Sequence, residues 1–353
     1  MFAIDFGARS IKVAKLNKIG NNYELDNYGI TLSPEKSIAN GEILNPIAVA
    51  DSLSKLLKEI NLRDNRAIIA VTGQKVIVRE IVLPLMEEKE LMAGVIWEAP
   101  KYVPYNIEES IIDAKKIEEF EDKEGNKMMR ILLVAVPKSV VQPYVEVLKK
   151  VKVIPKIVDI VSSAHIRVFE SYFSEVKEED SLTDLILSIG ASGTILTLVE
   201  KGNLKFTRDI LMGGNDINEA IAKSLNLSFK EAEKIKREAE IKSKSEEESE
   251  NESKKMVAKI LEQIAKEVRK SLSYYKTQNQ KVKYNKIILC GGSANINGIT
   301  EFLSEELDLP AELGDPLRGI IMDERVFSRE DIENFKKNKA SLATVIGLAK
   351  RER

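Results

Sequence analysis

Apolar positions in this chain follow two rhythms. Short runs rich in β-branched residues, closed by turn residues, predict strands at 2–6, 11–16, 23–31, 66–73 and 75–84. NPIAVADSLSKLLKEI (45–60) spaces its apolar residues three and four apart and predicts a helix, with Pro46 suited to its first turn. A compact alternation follows: helix 87–98, strand 109–118, a turn at EDKEGNK, strand 128–136 and helix 138–150. Pro100 and Pro104 stop the first of these helices, and Ser139 is suited to cap the second. Set between strands of the first half, this unit predicts an inserted subdomain. KVIPKIVDI (152–160) and the helix after it return to the first half, and the charged SEVKEEDS (174–181) marks a boundary.

The second half opens with two strands around GASG and passes through FTRDILMGG to a helix-forming SFKEAEKIKREAE (228–240). IKSKSEEESENESKK (241–255) is almost devoid of apolar side chains and predicts a solvated loop. In the next stretch Val257, Leu261, Ile264, Val268 and Leu272 form one helical stripe. YNKIILCGGSANINGITEFLSEEL then reads as strand, glycine turn and helix.

Composition narrows the class. With 353 residues, 43% hydrophobic and 31% charged, the chain is long enough for two globular domains. A net charge of −2 leaves no electrostatic footprint of a nucleic-acid binder. ILLVAV (131–136) is strand-sized, and no apolar run reaches membrane length. The N-terminus enters a strand at once, without a basic region or cleavage pattern, and the single cysteine excludes an internal disulfide. A cytoplasmic protein is expected. The lone His165, Cys290 and Trp97 are expected to pack in apolar surroundings, since zinc needs a His/Cys cluster and no nucleophile signature is present.

Glycine turns carry the remaining chemistry. LSIGASGTILTLVEKG (187–202) reads as a second copy of IDFGARSIKVAKLNKIG (4–20). Gly7 falls on Gly190 and Ala8 on Ala191; with one residue of slack, Ser10 falls on Thr194 and Ile11 on Ile195. Asp5 faces Ser188. A third turn, CGGSANINGI, leaves another apolar strand, and MGGND lies between elements. Glycine permits close backbone approach, and free N–H groups beside small hydroxyls can cradle phosphate. None of these turns fits the Walker or dinucleotide patterns, and each alone is compatible with simple hairpin closure.

Taken in order, the motifs resemble the actin-like nucleotide-binding superfamily and, within it, the PilM family of type IV pilus assembly proteins. MFAIDFGARSIKVAKL resembles the first phosphate motif, LSIGASGTILTLVEKGNLKFTRDILMGG the second, AEKIK the segment reaching the adenosine, and IILCGGSANINGITEFLSEEL the adenosine motif. GDPL and SLATVIGLA are also similar, and the small unit is similar to the subdomain PilM shares with the division protein FtsA.

The resemblance implies an α/β, actin-like (ribonuclease H-like, duplicated) fold with two lobes around a nucleotide cleft. Its first lobe would comprise 1–84, 152–180 and 336–353, its inserted α+β subdomain 85–151, and its second lobe 181–335 with a helical part at 225–280. It also implies ATP and Mg2+ as cofactors. Asp5 would orient the water shell of the metal, and Gly7, Ala8, Ser10 and Lys12 would lie along the phosphates. Gly190, Ala191, Ser192 and Thr194 would close over them, with Gly213, Gly214 and Asn215 lining the nucleotide. Glu233 and Lys236 would hold ribose and base, and Gly291, Gly292 and Ser293 would lie beneath the adenosine. Read without the resemblance, Glu233 and Lys236 are an exposed helix face.

Relatives usually carry Asp where this chain has Ser188, and an acid or amide where it has Val161. The expectation is therefore ATP binding with slow or absent hydrolysis, and no catalytic residue is assigned. The implied partner is the N-terminal cytoplasmic tail of a PilN-like inner-membrane protein, seated beside the inserted subdomain, so the protein would be cytoplasmic and peripheral to the inner membrane. Self-association is compatible with the sequence. An FtsA-like filament tether would need an amphipathic helix beyond GLAKRER, and an actin-superfamily sugar kinase would need a catalytic acid; neither is apparent.

Overall fold

The computed structural model describes residues 1–173, 182–241 and 251–351. The connector expected at 174–181 lies outside the described residues, as do 242–250 of the charged loop. The ends of that expected loop differ from expectation. Ile241 is buried, and Asn251 caps a helix that begins at Glu252.

The chain starts with an antiparallel meander, β1 (Phe2–Phe6), β2 (Ser10–Ile19) and β3 (Asn22–Leu32), followed by the hairpin β4 (Ile38–Ala39) and β5 (Glu42–Ile43). α1 (Pro46–Glu59) follows, its first turn fixed by Pro46 and by the Asn45 side chain accepting from Ala48 N–H. After β6 (Arg66–Val71) come β7 (Ile77–Pro84), α2 (Glu88–Glu98), β8 (Ser110–Glu121), β9 (Lys127–Pro137), α3 (Lys138–Lys150), β10 (Ile154–Ile160) and α4 (Val161–Val168). The second half begins with β11 (Leu182–Ile189), β12 (Thr194–Glu200), β13 (Asn203–Ile210) and α5 (Gly214–Leu225). α6 (Phe229–Glu238) is started by a reciprocal Ser228–Glu231 capping box. α7 (Glu252–Gln278), β14 (Lys283–Cys290), α8 (Ile299–Leu307), β15 (Ala311–Leu313), β16 (Ile320–Ile321), α9 (Arg329–Lys337) and α10 (Ala343–Ala349) complete the chain.

The two large sheets repeat one topology. The first runs β10-β6-β1-β2-β3-β16 and the second β13-β12-β11-β14-β15. In each, an antiparallel meander leads into strands that run parallel to its first member. The duplication seen in the turns thus extends to whole sheets. Between the sheets lie α4 and α10, packed with Ala3, Ala14 and Ile68 on one side and Ile186, Val199 and Ile288 on the other. The two helices meet at Gly347, where a Cβ would lie 2.0 Å from the Ala164 carbonyl oxygen, so only glycine allows this approach. His165 is fully buried here as expected, with Nε2 3.0 Å from Thr344 Oγ1, and burial pushes its pKa down to about 4.

The small unit is built on a sheet of its own. β7 joins β9 and β8 in its three-stranded sheet, whereas Tyr144, Val147 and Leu148 of α3 pack into the core of the first large sheet with α1. Near its end the chain returns to the first sheet. β16 pairs with β3, and Phe335 packs with Ala3 and Leu25. Trp97 is 84% exposed and does not pack. α2 turns Val95 and Ala99 inward, and a position two residues from Val95 lies on the opposite face.

Candidate functional site

A cavity of about 720 Å³ opens between the two large sheets. Its wall is made where β1, β6, β10, β11 and β14 end, bringing Asp5, Thr72, Val161, Ser188 and Gly291 to one place. Ligands of open α/β sheets bind at such carboxyl ends.

The two repeated turns face each other across it. Each is a hairpin closed by one backbone bond, Gly7 N–H to Ser10 O at 3.2 Å and Gly190 N–H to Gly193 O at 2.8 Å. Phe6 pairs with Ile11, and Ile189 with Thr194. The copies therefore superpose without slack: Arg9 corresponds to Ser192, Ser10 to Gly193, Ile11 to Thr194 and Lys12 to Ile195. The expected match of Ser10 with Thr194 is corrected by the hairpin register. The N–H groups of Ala8, Arg9, Ala191 and Ser192 have no acceptor among the described residues, which leaves donors at both turn tips.

Side-chain chemistry separates the two turns. Lys12 Nζ lies 3.0 Å from the Asp5 carboxylate, and both border the cavity. In the second turn, Ser188 lies beside Cys290, whose thiol is pushed up to about 12 by burial, with the Ser188 hydrogen bond opposing. Thr194 is buried and donates to Met212 O at 2.8 Å. Ser192 Oγ accepts from Asn40 N–H of the first lobe at 3.0 Å.

Of the residues implied by the resemblance, Asp5, Gly7, Ala8, Ser10, Lys12, Gly190, Ala191, Ser192, Asn215, Glu233, Lys236, Gly291, Gly292 and Ser293 border the cavity. Thr194, Gly213 and Gly214 stand behind the second turn instead. Gly214 N–H donates to Gly190 O at 2.9 Å, and a Cβ on Gly213 would lie 2.8 Å from the carbonyl oxygens of Gly190 and Ala191. Ser293 Oγ donates to Gly190 O, linking the third turn to the second.

Glu233 and Lys236 are both buried, unlike an ordinary exposed helix face. Lys236 Nζ donates to Gly214 O at 3.0 Å, and its pKa is pushed down to about 8 by burial, with Glu233 opposing. The Glu233 carboxylate takes Arg9 from the first turn and Arg237 from its own helix. Asn218, 2% exposed, borders the cavity with Oδ1 lacking a hydrogen-bond partner among the described residues.

Several cavity residues lie beyond those implied by the resemblance. Arg9 lies inside the first glycine turn, but only the tertiary fold shows it crossing the cleft. Asp209 accepts from Thr72 Oγ1 at 2.7 Å and Gly73 N–H at 3.2 Å, and burial pushes its pKa up. Asn334, Lys337 and Thr344 come from the C-terminal segment, where an exposed-looking helix gives no local signal. Asp159 faces away and is taken by Arg167 and Arg351. A separate groove of about 400 Å³ runs between β7 and β13, each an edge strand of its sheet, with Gln74, Arg79 and Phe206 among its walls.

The sequence model of the family described as type IV pilus assembly protein PilM matches residues 3–353. The PilM-PilN type IV pilus biogenesis complex is similar in structure, with a TM-score of 0.83 and 25% identity, covering 99% of this chain and 97% of that one. Ethanolamine utilization protein EutJ from Carboxydothermus hydrogenoformans has a TM-score of 0.56 at 14% identity, covering 99% and 88%. MreB5 of Spiroplasma citri bound to ADP has 0.50 at 14%, covering 95% of each chain. The last two share the fold.

Proposed function

The chain belongs to the family of type IV pilus assembly protein PilM, and we propose that it is an ATP-binding scaffold holding the cytoplasmic tail of a PilN-like protein at the pilus inner-membrane platform. The observation that carries this reading is the similarity to the PilM-PilN complex over 99% of the chain. In this reading the tail, anchored in the inner membrane, keeps the scaffold on the cytoplasmic face.

ATP fits the cavity on three grounds. Free N–H groups at both turn tips offer a phosphate cradle. Five cationic side chains border the space against three carboxylates, a surplus suited to a polyphosphate. The unpaired Asn218 Oδ1 offers an acceptor at the wall. Asp5 is suited to Mg2+ as the single carboxylate behind a metal held mainly by phosphate and water. Bound there, the metal would neutralise phosphate charge. Ser188 and Val161 bring no charge to the positions that face Asp5, so the chain is suited to holding nucleotide rather than hydrolysing it. A ligand bound only by the folded state stabilises it.

The groove between β7 and β13 supports the partner reading. Edge strands present unpaired backbone groups that an extended peptide can extend or bridge. Calorimetric titration with ATP and Mg2+, followed by phosphate release on the same sample, tests the nucleotide reading; turnover at or above ~1 s⁻¹ overturns the scaffold. Titration with a PilN-like tail peptide tests the partner. Gln74→Trp, an exposed change that fills the groove, is expected to abolish peptide binding without unfolding the chain. Deleting residues 85–153 is a poorer test, because it removes the α3 side chains that complete the first core.

A further inference from the structure

Arg9 links the first turn to the opposite lobe. Its Nε donates to Glu233 Oε1 at 2.9 Å, and its Nη2 lies 2.7 Å from Oε2, so the guanidinium grips the carboxylate as a two-pronged fork. Residues 9 and 233 are 224 positions apart and stand on opposite sides of the cavity. The other cations near the phosphate cradle are engaged within their own lobe: Lys12 by Asp5, and Lys236 by the Gly214 carbonyl. Arg237 also binds Glu233, at 2.8 Å, but from the same helix, so it orients the carboxylate without bridging the lobes.

The Arg9 side chain is 44% exposed, whereas that of Glu233 is 10% exposed. A half-solvated cation on a turn tip is free to release, while its partner is held in place by the helix and Arg237. The position equivalent to Arg9 in the second turn is Ser192, so no matching cation reaches back from the other lobe.

We infer that Arg9 is a further residue of the nucleotide site, a latch from the first lobe that forks to Glu233 over a bound nucleoside polyphosphate and limits its release. The inference rests on the nucleotide reading above. For the lobes to part at this mouth, two charge-assisted hydrogen bonds must break together. Because the cation is half-exposed, added salt weakens the latch.

The test is a chase experiment on the full chain. Radiolabelled ATP with Mg2+ is bound, excess unlabelled ATP is added, and the retained label is followed on filters at low and high salt. Arg9→Ala is expected to speed release on the order of tenfold at low salt. Arg9→Lys, which keeps the charge and loses the fork, should lie between it and the wild type. Arg237→Ala should speed release less than Arg9→Ala. High salt should speed release from the wild type by a larger factor than from Arg9→Ala, which keeps the other cations but not the latch. Equal release from wild type and Arg9→Ala at low salt overturns the latch while leaving nucleotide binding intact. Equal effects of Arg9→Ala and Arg237→Ala also overturn it, since orientation of Glu233 would then be all that matters. Failure of the wild type to retain ATP at any concentration overturns the nucleotide reading itself.

Discussion

The two glycine turns have the same backbone and opposite chemistry. Both are four-residue hairpins at the C-terminal end of a central strand, closed by the same bond between first and last residues. The first carries Asp5, Arg9 and Lys12, and the equivalent positions of the second are Ser188, Ser192 and Ile195. The acid is therefore one of three charges that the second copy lacks. The hydroxyls of the second turn and the glycines behind it knit the turn to α5, the third glycine turn and the first lobe. One copy thus supplies charge, and the other supplies a rigid wall of backbone donors. Sequence repetition in this fold marks shared geometry and says little about shared chemistry.

The rigid wall is the part whose loss should matter most. A side chain on Gly213 would press on the carbonyls of Gly190 and Ala191 and on the Gly193 nitrogen, all backbone atoms with no room to yield. Gly213→Val is expected to cost about 3 kcal/mol or more, read as a shift of the urea midpoint. An unchanged midpoint would mean that the second turn is not the architectural member of the pair.

The next effect comes from the cation buried behind that wall. Lys236 has its pKa pushed down to about 8, against the usual 10.5, chiefly by burial. Below pH 8 both folded and unfolded chains carry the proton, and the buried charge penalises the folded one. Between 8 and 10.5 the folded chain releases the proton while the unfolded chain keeps it, so stability should rise with pH by about 3 kcal/mol across this window. Lys236→Met should flatten that rise. Saturating ATP should also reduce it, because phosphate charge favours the protonated lysine. A rise of equal size in wild type and Lys236→Met would assign it to other groups.

Legibility in the sequence followed the same division. The duplicated strand–turn–strand pattern is local, and the apolar runs at 2–6 and 11–16 and around GASG are enough to predict both hairpins. The glycine turns and the long α7 stripe were legible for the same reason. Contacts made across the fold were not. Nothing near Arg9 indicates that its partner is Glu233, and nothing near Asn334 or Lys337 indicates a cavity wall. The slack in the repeat came from matching hydroxyl residues by type, whereas strand register decides which residues are equivalent. The exposure of Trp97 is not legible because α2 is too short, and too apolar on both faces, for its pattern to show which side meets the sheet.

The division between charge and wall predicts unequal responses at equivalent positions. Lys12 and Ile195 occupy matching sites, and methionine approximates the length of both. Lys12→Met removes a cation beside the phosphate cradle and leaves Asp5 unpaired. It should weaken ATP binding by roughly tenfold to a hundredfold in a calorimetric titration. Ile195→Met keeps volume and adds no polar atom, so less than about a threefold change is expected. Similar losses at both sites would mean that the turns share the work of binding evenly.

A smaller change than that of Lys12→Met is expected where the missing acid is restored. Ser188 stands at the strand end opposite Asp5, backed by the buried Cys290 thiol rather than by a cation. A carboxylate placed there has no lysine of its own, since the position equivalent to Lys12 is Ile195. Ser188→Asp should therefore bind ATP slightly more weakly without metal, through repulsion with phosphate. With Mg2+ present, a second carboxylate gives the hydrated ion another acceptor, and affinity should recover and exceed the wild type by a few-fold. Phosphate release measured on the same sample then separates two explanations of slow hydrolysis. Release that appears in Ser188→Asp identifies the lost acid as the limiting feature. Metal-dependent binding without release shifts the cause to the second neutral position, Val161, where a side chain at the start of α4 has no means of orienting water.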